Sequence, residues 1–515
     1  MADNNQPIEP KVSCPQETLK DVELGDLDVQ SLTLEEDKRI LRRIDLYLLP
    51  MMAVSYMFQF LDKSAMSFTS ILGLTDDLHL QGEDYSWASS IYYFGYLAAS
   101  YVAAVLLVRF PVGKMISTSM CVFCWLPSVI LSWRDAYFNS SVVWGAVLML
   151  TATVFSSQGL IAVRFFLGVT EAAIAPGLSI VVSMWYKRSE QPFRHGIWFQ
   201  GITIAGIFGG LVAYGIGHVQ SFAPWKAVFL IFGAITIVWA FILLYWLPDT
   251  PMNARFLGED DRHKAVLRVQ ENMTGIKNDE FKVYQFIEAL CDLKCWAFVL
   301  IQISCSIPNG GVSNFGSIII EGFGFSTLNT LLVQIITYVV QGVLVYLSTA
   351  GCSWFDNSRT YWMVWNSALS IVGAAMARQI SPDNVWARFI GYCLAGAYAV
   401  NFPLTLSMST GNIGGFTKKT TVNAMVFIGY CAGNIIGPHL FFPDEEPSYP
   451  SGFLAMLICF VISLVLSLCL RYYLIWENNR RDRLGHMDSG DSFEPLDATI
   501  LDKTDKELLQ FRYVY

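Results

Sequence analysis

The chain has 515 residues, of which 54% are hydrophobic and 15% charged, and its formal net charge is −9. A soluble protein of this length interleaves apolar residues with charge, whereas here they come in blocks of about 20, the length of a helix that spans a bilayer. The acidic excess sits mainly in the two ends and a central polar stretch, and no basic stripe is present, so nucleic acid is excluded as a partner.

Residues 1 to about 30 hold too few large apolar side chains for a core and are expected to be disordered. The polar, acid-rich start lacks the pattern of a cleavable signal peptide. Thr33 followed by Glu36 is a capping-box pattern and predicts a short helix leading to Arg42 and Arg43. The first span is expected near 45–64. Later apolar blocks fall near 87–108, 115–156, 158–185, 196–218, 225–247, 296–319, 328–350, 360–378, 386–408, 420–441 and 453–474. The block at 115–156 is too long for one crossing, and Pro127, Arg134, Asp135 and Asn139 interrupt it. It is read as one crossing plus an extra segment at about 125–143, either an extended loop or retained non-coding sequence.

Lysine and arginine set the orientation. Alternate connections carry Arg109 and Lys114; Lys187, Arg188 and Arg194; Arg255, Arg262, Lys264 and Arg268; Arg359; Lys418 and Lys419; and Arg480, Arg481 and Arg483. The connections at 65–86, 320–327 and 442–452 carry none, with Arg378 and Arg388 the exceptions on that side. The alternation predicts an all-α membrane protein of 12 transmembrane helices with both termini cytoplasmic. Five regions follow: a cytoplasmic tail at 1–43, a six-helix half at 44–247, a cytoplasmic central loop at 248–294, a second six-helix half at 295–475, and a cytoplasmic tail at 476–515. Arg388-Phe389 in the tenth span echoes Arg164-Phe165 in the fourth, and at the same offset Ala395 stands opposite Glu171. Related halves of this kind pack around a midplane site.

Charge at membrane depth is the most informative signal. Residues 160–176, LIAVRFFLGVTEAAIAP, carry Arg164 and Glu171 on one helix face, about 10 Å apart along the axis. Asp62 and Lys63 end the first apolar run. Each charge near a bilayer centre costs about 2.5–3.5 kcal/mol on the insertion scale, so four imply a function. Asp62 and Glu171 are the expected proton carriers, because a buried carboxylate changes protonation readily when a nearby cation is engaged or freed. Lys63 and Arg164 are the expected anion anchors, with arginine able to grip a carboxylate through two parallel hydrogen bonds. The alternative is a structural ion-pair cluster between the first and fourth spans. Tyr93, Asn314 and Asn401 are the candidate substrate-binding residues beside them, with Tyr92, Tyr96 and Asn309 as further cavity candidates. Trp87, Trp198 and Trp365 are expected to serve packing or the interface. Arg109 with Lys114 and Asp356 with Arg359 sit where cytoplasmic gate contacts would lie. Cys121 and Cys124 form a C-x-x-C without a matching pair or histidine, so no metal or cofactor is expected. No nucleophile–base pair or phosphate loop suggests an enzyme.

The sequence resembles the major facilitator superfamily and, within it, the fungal allantoate permease family of anion:cation symporters. The resemblance is carried by FLDKSAMSF at 60–68, SIYYFGYLAASY at 90–101, RFPVGK at 109–114, VRFFLGVTEAAIAPG at 163–177 and SMWYKRSEQPFRHGIWF at 183–199. LPDTPMNARFL at 247–257, SNFGSIIIEGFGFS at 313–326, TKKTTVNAMVFIGYCAGNIIGPHLF at 417–441 and the closing FRYV at 511–514 extend it. It implies the major facilitator fold and proton-coupled uptake of a small organic anion, with coupling and anion binding at Asp62, Lys63, Arg164 and Glu171. Lys63 stands where many relatives have arginine. Allantoate or ureidosuccinate is the first expectation for the substrate, and nicotinate, pantothenate and biotin are competitors. The other readings are an exporter of an acidic metabolite and a non-transporting nutrient sensor. A monomer in the plasma membrane, with protons and one organic anion as partners, is expected.

Overall fold

The computed structural model describes residues 33–109, 143–187, 189–219, 222–248, 250–270, 281–446, 448–485 and 503–515. The described residues form a helical bundle. It opens with α1 (Leu34–Thr69), α2 (Asp84–Arg109) and a short apolar α3 (Val143–Leu150). Next come α4 (Ser157–Trp185, interrupted at 172–173), α5 (Gln191–Gly217) and α6 (Pro224–Trp246). Two short helices follow, the charged α7 (Glu259–Gln270) and α8 (Val283–Cys291), which leaves Val283, Ile287 and Leu290 exposed. The remainder is α9 (Leu293–Glu321), α10 (Thr327–Trp354), α11 (Arg359–Gln379), α12 (Val385–Asn412), α13 (Phe416–Leu440) and α14 (Pro450–Gly485). Among the described residues nine helices are long and apolar enough to cross a membrane. Apolar side chains such as Val238, Phe241, Leu347, Ile458 and Val465 stay exposed along α6, α10 and α14, where only a lipid environment would cover them.

The capping box forms as its spacing requires. The Glu36 N–H donates to the Thr33 hydroxyl oxygen, and the Glu36 carboxylate accepts from the Thr33 N–H and hydroxyl. Glu35, Glu36 and Asp37 in the first turn also suit the positive end of the helix. The expected short helix is not a separate element, however. One 36-residue helix runs from this cap to Thr69, continuing through Pro50 although that residue has no N–H to give the Leu46 carbonyl. It ends where Gly73 adopts φ 95°. The segment expected at 125–143, with Cys121 and Cys124, lies almost wholly outside the described residues.

α1 and α9 meet near their C-terminal ends, where the Ser67 and Ser317 hydroxyls are 3.0 Å apart, and they run the same way. Their starts, and with them the described chain termini, lie at one end of the bundle. At this end α7 fastens α1: Asp261 pairs with Arg39 and Arg43 at 2.9 and 2.8 Å, and buried Arg268 pairs with Asp37 at 2.7 Å and with Glu190. Arg194 reaches Asp45 at 2.7 Å.

The α2–α4 crossing places the site. A Cβ on Gly168 would lie 1.8 Å from the Tyr92 carbonyl oxygen, and one on Gly95 would lie 2.0 Å from the Phe165 oxygen. Only glycine permits this backbone approach.

Candidate functional site

Asp62 and Glu171 are completely buried and Arg164 nearly so, all in the middle of the bundle. The tight α2–α4 crossing brings the Tyr92 hydroxyl to donate to Glu171 Oε2 at 2.6 Å. The Gln59 side-chain amide donates to the Glu171 backbone carbonyl at 3.4 Å, tying α1 to the same point. Arg164 spends one Nη on the Asp62 backbone oxygen at 3.4 Å. Its Nε and other Nη are buried without a hydrogen-bond partner, as are both Asp62 carboxylate oxygens and Glu171 Oε1. The Trp144 indole of α3 lies beside Asp62 without completing a hydrogen bond. Buried polar atoms left unpaired cost about 1–3 kcal/mol each, and more when charged. A group of them around one point calls for an explanation beyond packing.

Lys63 is held differently. Its ammonium faces the rings of Tyr92, Tyr93, Tyr96 and Tyr430 at 5.3, 6.0, 6.0 and 5.6 Å and donates to the Tyr430 hydroxyl at 3.4 Å. Four aromatic faces stabilise a cation without neutralising it. Among the described residues no ion pair joins Lys63 or Arg164 to Asp62 or Glu171. The two cations therefore keep their capacity for an anion.

A narrow cavity with room for about one water molecule lies against the two cations, lined by Lys63, Ser89, Tyr92, Tyr93, Arg164, Ser313 and Asn314. The structure thus gathers six of the expected residues: Asp62, Lys63, Arg164, Glu171, Tyr93 and Asn314. Asn314 spends its amide N–H on the Gly310 carbonyl of its own helix at 2.7 Å. Asn401 is engaged elsewhere. Its amide donates to Ser367 at 3.0 Å and accepts from Asn366 at 3.3 Å, within a buried polar network that joins α11 and α12. Asn309 bridges to Asn434 at 2.8 Å. Trp198 is buried edge-on against Tyr56 at 4.7 Å, and Trp87 and Trp365 stand exposed on the bundle surface.

Facing helices are joined on both sides of the cavity. Toward the far end, Tyr85 donates to the Asn314 carbonyl at 2.9 Å, Ser90 to the Ile435 carbonyl at 3.0 Å and Ser86 to the Pro438 carbonyl at 3.4 Å. Toward the termini end, Gln200 donates to the Gly342 carbonyl at 2.7 Å, Thr410 donates to Gln191 at 3.1 Å, and Phe199 stacks on Phe402 at 5.5 Å. Arg359 is buried and donates to Ser407, while Asp356 stays exposed. The Arg109 side chain and Lys114 lie outside the described residues.

Gln59, Trp144 and Tyr430 are not expected from the sequence. Gln59 carries a signal that could have found it, since it stands one turn before Asp62 on the same helix face. Tyr430 lies in the family-like stretch at 417–441 but carries no charge to single it out.

Comparison with known proteins agrees with this architecture. The profile of the Major Facilitator Superfamily matches residues 52–438. An uncharacterised transporter of Schizosaccharomyces pombe is 35% identical over 94% of this chain and 87% of its own. The allantoate permease of Saccharomyces cerevisiae is 32% identical over 94% of this chain and 87% of its own. In fold, the crystal structure of the E. coli fucose:proton symporter superposes with a TM-score of 0.56 at 15% identity, covering 82% of this chain and 99% of that one. The chain is a multi-pass membrane transporter of small solutes, not an enzyme, and it belongs to the Major Facilitator Superfamily, in the family of the allantoate permease.

Proposed function

We propose that this transporter imports a small organic anion together with a proton, by alternating access between two six-helix halves at 44–247 and 295–475. The observation that carries the reading is a quartet of two buried carboxylates, Asp62 and Glu171, and two cations, buried Arg164 and half-buried Lys63, with no ion pair among them and with both cations lining one narrow cavity. With all four ionised the quartet is neutral. A singly charged anion entering alone would leave a net buried charge, which costs several kcal/mol. A proton on Asp62 or Glu171 restores neutrality. The site is therefore occupied favourably by anion and proton together, or by neither, and that is coupling.

The substrate carboxylate lies on the free edge of Arg164, whose Nε and Nη form a planar fork, with the Lys63 ammonium as second anchor. Tyr93 and Asn314 border the remainder. Tyr92 holds one Glu171 oxygen and leaves the other for the proton. The cavity in the closed form is too narrow for an anion of allantoate size, so loading and release follow opening of one seal at a time. Twelve spans, with α2, α3 and α11 added to the nine helices long and apolar enough to cross a membrane, leave both termini in the cytoplasm. The far-end seal then faces the outside, and the protein acts as a monomer in the plasma membrane.

The test is uptake of labelled allantoate, ureidosuccinate, nicotinate, pantothenate and biotin in cells lacking their own carriers, at acidic and neutral external pH, beside Glu171→Gln. Saturable uptake of one of these, stimulated by acid and abolished by an uncoupler, is expected, with accumulation lost in the variant. Accumulation that survives an uncoupler overturns proton coupling. Efflux without uptake turns the reading to export.

A further inference from the structure

The stretch at 503–515 contains no helix, yet Thr504, Asp505, Phe511 and Tyr513 are buried. Side chains from several helices bind its backbone. Asn478 on α14 exchanges two hydrogen bonds with Tyr513, donating to its carbonyl at 2.8 Å and accepting its N–H at 2.9 Å. Asn412 at the end of α12 does the same with Val514, both at 2.8 Å. Arg481 donates to the carbonyls of Asp505, Leu508 and Phe511 at 2.9, 3.2 and 2.9 Å. An amide side chain that both gives to and takes from one residue's peptide groups satisfies them as a neighbouring strand would.

One side chain of the stretch is the anchor. The Asp505 carboxylate accepts from Lys418 of α13 at 2.8 Å, from the Gly414 N–H at 3.2 Å and from the Tyr513 hydroxyl at 2.7 Å, and it pairs with Lys294 of α9. Lys294, Lys418 and Asp505 are all buried, so the carboxylate is a structural counter-ion, not a surface charge. Losing it would leave Lys294 to Asp292 alone and Lys418 to Asp292 and Glu288, one counter-ion fewer for two buried ammonium groups.

We propose that 503–515 is a peptide ligand carried by the chain itself, and that the crevice between the termini-end tips of α9, α12, α13 and α14 is its binding site. Its occupation locks those four tips into one unit that must move as a body during transport. The mechanical link runs along α13. Lys418 stands at its start, Tyr430 touches Lys63 about three turns further on, and Ile435 receives the far-end seal from Ser90. A peptide that fixes the base of α13 sets where its middle and far end come to rest. This functional part depends on the symporter reading above; the binding site does not.

The experiment keeps folding and release apart. A protease recognition sequence is placed within 486–502 of the full chain, and the protein is purified, reconstituted and cut only after folding. The severed peptide is expected to stay with the membrane part through gel filtration. Asp505→Asn combined with Asn478→Ala in the same cuttable chain is expected to weaken retention by about tenfold or more. The peptide should then elute separately, uptake should fall, and synthetic 503–515 should restore it to the cut wild-type protein after a high-salt wash. A severed peptide that leaves the unsubstituted protein at once overturns the binding site. A released protein that transports as well as the uncut one overturns the locking role. If the uncut chain takes up none of the tested anions, the symporter reading has failed, and retention and melting temperature still judge the clamp.

Discussion

Tyr92 donates to Glu171 at 2.6 Å because the Tyr92 carbonyl oxygen occupies the place where a Cβ on Gly168 would stand. The carboxylate at the centre of the site is thus aimed by a backbone contact one turn away. Gly168→Ala puts a methyl group 1.8 Å from that oxygen, and a carbonyl on a packed helix has little room to retreat. Overpacking of this kind costs about 1–3 kcal/mol or more and would part α2 from α4. Uptake should be lost while surface-labelled protein remains; an alanine variant with full transport would contradict the contact.

Tyr430 is the sole residue of α13 found against the Lys63 ammonium, and it offers both a ring and a hydroxyl. Tyr430→Phe keeps the ring face and removes one neutral hydrogen bond, worth about 0.5–1.5 kcal/mol. A change in KM of about twofold to tenfold is expected on that scale. Lys63→Met removes the charge and should abolish saturable uptake. A Tyr430→Phe variant as dead as Lys63→Met would show that the hydroxyl does more than hold the lysine.

Asn401 provides the contrast. Asn401→Ala strips partners from Ser367 and Asn366 deep inside the bundle, and a buried group left unpaired costs about 1–3 kcal/mol. The variant should melt several degrees lower in detergent yet bind substrate with unchanged KM. A raised KM at unchanged melting temperature would make Asn401 a ligand contact after all.

Acid should separate Asp505 from its neutral isostere in a defined direction. Burial alone would raise the Asp505 carboxyl, but the Lys294 and Lys418 ammonium groups beside it outweigh burial and hold it well below the usual carboxylate range. Asp292, flanked by the same two lysines, is depressed in the same sense against its own burial. A depressed folded-state value contributes stability above the unfolded value of about 3.9 that is lost only as pH falls through the folded one. Asp505→Asn should therefore melt below the parent at pH 7, and the gap should persist to about pH 4 and narrow only beneath it. A gap that closes between pH 7 and pH 5 would mean that the carboxylate is not paired as described.

Charge at membrane depth makes the site legible from the amino acids alone. Asp62, Lys63, Arg164 and Glu171 stand out because bilayer helices otherwise exclude such residues. Helix positions are equally plain, since blocks such as 328–350 and 453–474 are mainly apolar and hold a single charge, Arg471, between them. What stays hidden depends on neighbours far away in the chain. Tyr430 reaches Lys63 across hundreds of residues, and an uncharged tyrosine in an apolar helix announces nothing. The stretch 503–515 has neither helical nor strand periodicity, and its partners are spread from 292 to 482. In the sequence it is only a tail with a family-like ending. Asn401 is hard to read for another reason: an amide inside a span looks the same in sequence whether it meets a ligand or the next helix.

The far-end seal has a lopsided chemistry. Tyr85, Ser86 and Ser90 of α2 supply the donors, whereas α9 and α13 answer with the main-chain oxygens of Asn314, Ile435 and Pro438. Every amino acid offers that oxygen. Most side chains on the α9 and α13 bank can therefore be exchanged without unfastening these three bonds, His439 excepted because it meets Ser90 at 3.3 Å and Glu83 at 3.5 Å, while the α2 bank must keep its hydroxyls. Among descendants of this chain, the mouth is free to diversify along most of one bank, with His439 as its fixed point, and is pinned along the other.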